Sequence, residues 1–267
     1  MLLNKLKQKI KYLTESFYKF IYVRFFLNEN HIYKEETSKF KKLKFNEKKS
    51  EENLNKIINN IIGRDYNSDL DSVHWKLFSA ISLETKKYNK ILEIGTYDGQ
   101  FTSFLSKMFP NSLITTVDLP KDDPLLKKFY DRSTSENYDK YINKQKKNTD
   151  HKNIKTLKTN TFFLNESLEL NEKFDLIWVD GGHLYPEVAW DLCMAYNLLN
   201  KGGFLLCDDV IFTEKEYKSD YVSNESSHVL NYLEERIDNS FVHFLKRTDL
   251  KRYALKYSRK YVSILKK

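Results

Sequence analysis

Apolar and polar positions along the chain fall into two alternating kinds of run. Short, β-rich apolar stretches occur at 90–94, 113–117, 174–179 and 204–207, and 153–159 alternates apolar with polar residues. Between them lie longer runs with helical spacing. Val73, Leu77 and Ile81 mark a helix within 71–88, and others are expected over 100–109, 136–147 and 226–237. Val188, Leu192, Ala195 and Leu199 mark one more, which Gly202-Gly203 is expected to close. Strands separated by helices of this length pair in parallel, so the pattern predicts an α/β, doubly wound sheet. Two further strands, 241–246 and 259–265, close the chain, joined by a basic, Tyr-rich segment at 247–258.

The first quarter of the chain reads differently. Leu2, Leu6, Ile10, Leu13, Phe17, Phe20 and Ile21 recur at helical spacing with lysines between them, which predicts a basic amphipathic helix over 2–27. Such a helix either lies on an anionic membrane surface or packs on the rest of the protein or on a second copy of it. Residues 34–56 are dense in Lys, Glu, Asn and Ser and are expected to be a solvated connector or loose helix. The shift in composition near residue 65 divides the chain into a basic helical extension, 1–65, and a main domain, 66–267.

Charge sharpens this division. The net charge of +8 is the balance of +7 over 1–65, +8 over 244–267 and −7 over the middle. Basic ends around an acidic centre argue against a nucleic-acid partner and suit a centre that receives cations. Cys193 and Cys207 are the only cysteines and imply neither a disulfide framework nor a thiolate metal site, which fits a reducing cytoplasm. A secretory signal is not expected, and 17–27, the most apolar early stretch, is too short to span a membrane and carries Lys19 and Arg24.

Candidate chemistry gathers where the strands end. In an open parallel sheet, ligands bind at the carboxyl ends of the strands. Asp180 follows 174–179, and Asp208 and Asp209 follow 204–207, so the three carboxylates are expected on one edge. Like charges crowded in this way repel unless a cation joins them, and a hard ion such as Mg²⁺ is one completion. The competing reading is that they are helix caps and loop solubilisers. The first strand runs into Glu93-Ile94-Gly95-Thr96-Tyr97-Asp98-Gly99. Two glycines four apart let a backbone turn approach a ligand, and their spacing excludes the G-x-G-x-x-G dinucleotide turn. The second strand ends in Asp118, where an acid can hold the two hydroxyls of a ribose, and the third delivers Asn160 and Thr161, small polar residues able to meet an adenine edge. His74 and Trp75 read as packing residues rather than as site residues. Residues 211–224 form a polar, aromatic loop expected to cover the carboxylate edge.

Taken in order, Glu93-Ile94-Gly95-x-Tyr97-x-Gly99, Asp118, Asp180-Gly181-Gly182-His183-x-Tyr185 and Gly202-Gly203 through Asp208-Asp209-Val210 resemble the class I S-adenosylmethionine-dependent methyltransferases. The resemblance spans about 70–267. It is nearest to the metal-dependent O-methyltransferase branch with a D-G-x-H-x-Y motif, which acts on small molecules and sugars. It implies a Rossmann-like seven-stranded sheet with the last strand antiparallel. It further implies S-adenosylmethionine as cofactor, bordered by Glu93, Gly95, Tyr97, Gly99, Asp118, Asn160, Thr161 and Asp180. A divalent metal, Mg²⁺ or another, would sit on Asp180, Asp208 and Asp209, with His183 as general base or as an orienting partner of an aspartate. The expected acceptor is a hydroxyl of a glycan, a nucleotide sugar or another small molecule. The alternatives on the same fold are a metal-binding relative with hydroxylase-type or no methyl-transfer activity, and a membrane-associated protein without catalysis. Location in the cytoplasm, with peripheral contact to the inner membrane surface through 1–27, and a homo-oligomeric state complete the expectations.

Overall fold

A computed structural model of the protein describes residues 14, 16–128, 132–213, 217, 219, 222–253 and 259–267. Seven strands, β1 (Lys90–Ile94), β2 (Leu113–Asp118), β3 (Ile154–Lys158), β4 (Phe174–Val179), β5 (Leu199–Val210), β6 (Val242–Leu245) and β7 (Tyr261–Lys266), form one sheet. Its order is β3-β2-β1-β4-β5-β7-β6. The first five strands pair in parallel, and β7 runs antiparallel to both β5 and β6. This is the Rossmann-like methyltransferase fold, with the last strand reversed as expected.

Seven main helices flank the sheet: α1 (Glu29–Lys42), α2 (Glu47–Ile62), α3 (His74–Ser82), α4 (Gln100–Met108), α5 (Ser135–Thr149), α6 (Glu187–Leu198) and α7 (Glu225–Glu234). Alternate residues of each buried strand face opposite layers. In β4, Leu176 and Trp178 join a core with Leu77, Phe78 and Phe104, while Ile177 and Val179 join one with Val188, Leu192 and Leu230.

Two segments depart from expectation. Residues 34–56, expected as a solvated connector or loose helix, fall largely in two packed helices. Asn28 and Asn46 cap them by accepting from the backbone N–H of His31 and Lys49, each at 3.0 Å, and Gly63, at φ 72°, ends α2. Their buried positions are aligned: Ser50, Leu54 and Ile58 lie four apart on α2, and Leu54 and Ile58 join Phe40 in the core. Helix α1 also covers the sheet's outer edge, where Glu36 Oε2 accepts the N–H of Leu245 at 3.0 Å and Phe40 meets Phe244 edge-on at 4.9 Å. The second departure is at Gly202-Gly203, which lie inside β5 instead of closing α6. A bulge pairs Phe174 with Leu199 and Leu176 with Phe204. A Cβ on Gly203 would lie 2.5 Å from the carbonyl oxygen of Asp175, so the close approach of β4 requires glycine there.

Cys193 is exposed and Cys207 buried, and both are free. Among the described residues, no helix is long and apolar enough to cross a membrane. Of the basic amphipathic helix expected over 2–27, residues 2–13 and 15 lie outside the described residues. The remainder is helical and ends in a π-helical turn at Tyr22–Phe26, with Phe17, Tyr18, Phe20, Phe25 and Phe26 exposed. Parts of the expected 211–224 cover and of the 247–258 segment also lie outside them.

Because Phe40 is buried between α1 and β6, Phe40→Ala is expected to destabilise the whole protein by about 3–5 kcal/mol. Urea unfolding followed by near-UV circular dichroism checks this; a loss below about 1 kcal/mol would show that α1 is a dispensable covering.

Candidate active site

The glycine turn leaves β1 in close contact with β4. Gly95 has φ 99°, and a Cβ there would lie 2.1 Å from the Asp180 carbonyl oxygen, so only glycine allows the two strand ends to meet. The turn is braced from outside by α5, whose Gln145 donates to the Tyr97 carbonyl at 2.6 Å and whose Asn148 donates to that of Asp98 at 2.9 Å. Tyr97 itself takes φ 47° and remains half exposed.

Beneath the turn, Glu93 is buried and its Oε2 accepts from Thr102 at 2.5 Å and Thr116 at 2.6 Å. Both contacts are made by Oε2. Burial pushes its carboxyl up to about 8, against the two threonine hydrogen bonds. Asp118 stands at the end of β2. Its Oδ2 accepts from Tyr141 at 3.0 Å and Gln145 at 2.7 Å, and its Oδ1 accepts the N–H of Leu119 at 2.9 Å. A carboxylate has about four lone-pair sites, so one direction on Oδ1 is left for a ligand hydroxyl.

Asn160 caps the short turn at Thr161–Phe163, accepting from the N–H of Phe162 at 3.0 Å. The Thr161 carbonyl accepts from the Trp190 indole at 2.9 Å, and its side chain bonds Asp191. Asp191, which the residue pattern does not single out, is buried on α6 against Gly181, and burial raises its carboxyl to about 7.

The carboxylate edge forms as expected, by a device the residue pattern does not reveal. Asp208 and Asp209 are consecutive and in a regular strand would face opposite layers. They sit where the β5–β7 register shifts between Cys207 and Val210, and Asp209 takes the left-handed φ of 52°. The bulge turns both carboxylates onto one ammonium, that of Lys246. Lys246 Nζ lies 2.5 Å from Asp208 Oδ2 and 2.6 Å from Asp209 Oδ1, and Lys260 Nζ lies 2.6 Å from Asp209 Oδ2. The Lys246 ammonium is held above its ordinary range: burial opposes it, and the charges of Asp208, Asp209 and Asp180 outweigh burial. Asp209 is held below the usual carboxylate range, since Lys246, His183 and Lys260 overcome its desolvation.

Asp180 and His183 complete the edge. His183 is buried, with Nε2 3.3 Å from Asp180 Oδ1 and its backbone carbonyl accepting from Ser223 at 3.0 Å. Burial lowers the imidazole, but the Asp180 hydrogen bond and the charges of Asp209, Asp180 and Asp208 leave it above its ordinary value. Desolvation and then the Asp208 charge raise Asp180. Asp208 Oδ1 is buried without a hydrogen-bond partner.

The residues as arranged do not fit the expected divalent ion. Both oxygens of Asp209 are bound to lysines, and no group of three His, Cys, Asp or Glu among the described residues is disposed to hold a metal. Two unit charges 4 Å apart near a protein surface interact by about 4 kcal/mol, so a divalent ion that close to the Lys246 ammonium would meet about twice that in repulsion. His74 follows its packing role. Its Nδ1 lies 2.7 Å from Ser72 Oγ, its ring stacks on Trp178 at 4.5 Å, and burial lowers it to about 3, so it is neutral.

Residues 92–210 match the methyltransferase domain family. That span holds the glycine turn, Asp118, Asp180, His183, Asp208 and Asp209, whereas Lys246 and Lys260 lie beyond it. No curated protein matches the chain in sequence. Among solved structures, the O-methyltransferase TomG from Streptomyces achromogenes, involved in tomaymycin synthesis and solved with S-adenosylmethionine, is 14% identical with a TM-score of 0.50, covering 90% of this chain and 98% of its own. A precorrin-6y C5,15-methyltransferase from Geobacter metallireducens is 14% identical with a TM-score of 0.43, covering 70% and 84%. At such identities the likeness to TomG shows the fold.

Glu93 yields a prediction about stability. Its folded value of about 8 lies above the ordinary 4.5, so the folded state binds more protons between these values and stability falls as pH rises from about 5 to 8. Glu93→Gln, which keeps an oxygen for the two threonines and removes the ionisation, is expected to flatten that slope in thermal unfolding. An unchanged slope would place the responsible group elsewhere.

Proposed function

We propose that the protein is an S-adenosylmethionine-dependent methyltransferase acting on a hydroxyl oxygen of a glycan, a nucleotide sugar or another small molecule. The observation that supports this most is the placement, within a matched methyltransferase domain, of an acid with an open hydrogen-bonding direction, Asp118, beside the Gly95–Gly99 turn and one strand from the Asp180–His183 pair. The bound cofactor supplies an electrophilic methyl on a sulfonium, and the chain's residues do the rest. Asp118 holds a ribose hydroxyl through its free lone pair, and a second bond there requires Tyr141 or Gln145 to yield. The Asn160–Phe163 turn, with Phe162 and Trp190 5.4 Å apart, lines the adenine end. Gly95 and Gly99 admit the methionine portion to the backbone, and buried Glu93 stiffens the turn from below.

A hydroxyl is a weak nucleophile and must lose its proton as it attacks. His183 accepts that proton on Nδ1, the ring nitrogen not paired with Asp180, and Asp180, 3.3 Å from Nε2, stabilises the imidazolium that results. Lys246 and Lys260 neutralise Asp208 and Asp209, so the edge keeps one net negative charge from its three carboxylates and two ammoniums. The D-G-x-H-x-Y resemblance supports a sugar-like acceptor, and a phenolic small molecule is the second choice. The exposed aromatic residues from Phe17 to Phe26 support peripheral contact of 1–27 with an anionic membrane surface.

Two outcomes test this reading. Calorimetric titration should show S-adenosylmethionine binding to the wild type, weakened about 10- to 100-fold in Asp118→Ala, as expected for loss of a hydrogen bond to a charged group. Equal affinities would remove Asp118 from the ribose site. For His183, kcat/KM should rise with pH as the imidazole loses its proton, with the limb centred above the ordinary value of 6.5. His183→Gln should lose that limb and about 10²- to 10⁴-fold in rate while still binding the cofactor. Retention of the limb would assign the base to another group.

A further inference from the structure

The carboxylate edge calls for a cation, and the chain brings its own. We propose that the Lys246 ammonium is the resident cation of the Asp180–Asp208–Asp209 edge, and that the protein binds no divalent metal there. The inference deepens the methyl-transfer reading, since it makes that reaction independent of metal, but the occupancy of the edge can be measured without turnover.

Three observations carry it. The Lys246 Nζ bridges Asp208 Oδ2 and Asp209 Oδ1 at 2.5 and 2.6 Å, in the space between the two carboxylates that an ion ligated by both would use. Asp209 has no oxygen left over, because its Oδ2 binds Lys260. The lysine is also fixed at its backbone: its carbonyl accepts the N–H of Val73 at 2.9 Å, and its N–H donates to the Lys260 carbonyl at 2.9 Å. A compact point charge on a tethered stem thus supplies the neutralisation that a hard oxygen-seeking ion would give. Topology makes this possible. Strand β7 is antiparallel to β5 and to β6, so the end of β6 and the start of β7 both reach the edge where β5 ends.

The test uses the full-length wild type, stripped with chelator and desalted, and Mn²⁺ as probe. Calorimetric titration should show no saturable Mn²⁺ binding to the wild type, and the melting temperature should not move when chelator or Mn²⁺ is added. Lys246→Met leaves the carboxylates without their bridge and should gain saturable Mn²⁺ binding with a matching rise in melting temperature. Adding Asp208→Asn to that variant should abolish the gain. Saturable binding to the wild type that Asp180→Asn removes would overturn the proposal, as would a folded Lys246→Met that binds no Mn²⁺. If Lys246→Met does not fold, the wild-type titration and its Asp180→Asn control decide alone. Titration of the stripped wild type with S-adenosylmethionine keeps the two ideas apart: failure to bind would sink the methyltransferase reading and leave the Mn²⁺ result standing.

Discussion

Carboxylates gathered at neighbouring strand ends are a liability until their charge is answered. Here the answer comes from the last two strands. A sheet built only of parallel strands sends every chain end of one sense to one edge, and each strand can bring to that edge only the residues at its own carboxyl end. β6 runs in the sense of β5 and brings Lys246 at its carboxyl end, and the reversed β7 brings Lys260 at its start, to the edge where β4 and β5 deliver Asp180, Asp208 and Asp209. The bulge in β5 then aims two adjacent aspartates at one ammonium, which a regular strand would not do.

The N-terminal helices belong to the same arrangement. β6 is an edge strand, and its placement controls Lys246. Glu36 of α1 caps the N–H of Leu245, Phe40 packs on Phe244, and Val73, just ahead of α3, donates to the carbonyl of Lys246 itself. Displacing α1 would therefore expose an edge and also loosen the lysine that neutralises the site. Glu36 is raised by its own burial, against the pull of Lys39, which fits a side chain committed to bridging two elements rather than to solvent.

The residue pattern is legible wherever the information is local and silent wherever it depends on pairing. Buried parallel strands are short apolar runs, so β1, β2 and β4 appear nearly at their true limits, and the acids at their ends mark the ligand edge. The helices at 29–62 escape because Lys, Glu and Asn between Leu54, Ile57, Ile58, Ile61 and Ile62 and ahead of them mask the apolar face of α2; Asn46 and Gly63, a cap and a terminator, are the available signals. Gly202-Gly203 mislead because paired glycines after a helix usually end it, whereas here they serve a bulge that only the pairing of β4 with β5 defines. The acidic half of the site is visible and the basic half is not. Lys246 and Lys260 stand outside the matched domain, in a part of the chain where nine of twenty-four residues are Lys or Arg. Only the antiparallel pairing singles them out.

That basic half alters how the acidic half should be understood. An exchangeable ion would tie the charge of the edge to solution conditions, whereas a lysine delivered by the backbone is present in every folded molecule at fixed geometry. With Lys260 it balances Asp208 and Asp209 locally, while Asp180, one-third exposed and joined to His183, keeps a different partner. The three aspartates thus divide into two roles. Asp208 and Asp209 pair with the lysines of the last two strands, and Asp180 bonds His183 and raises its imidazole. Their common position at the strand ends makes them look like one ligand set, but the hydrogen bonds separate them.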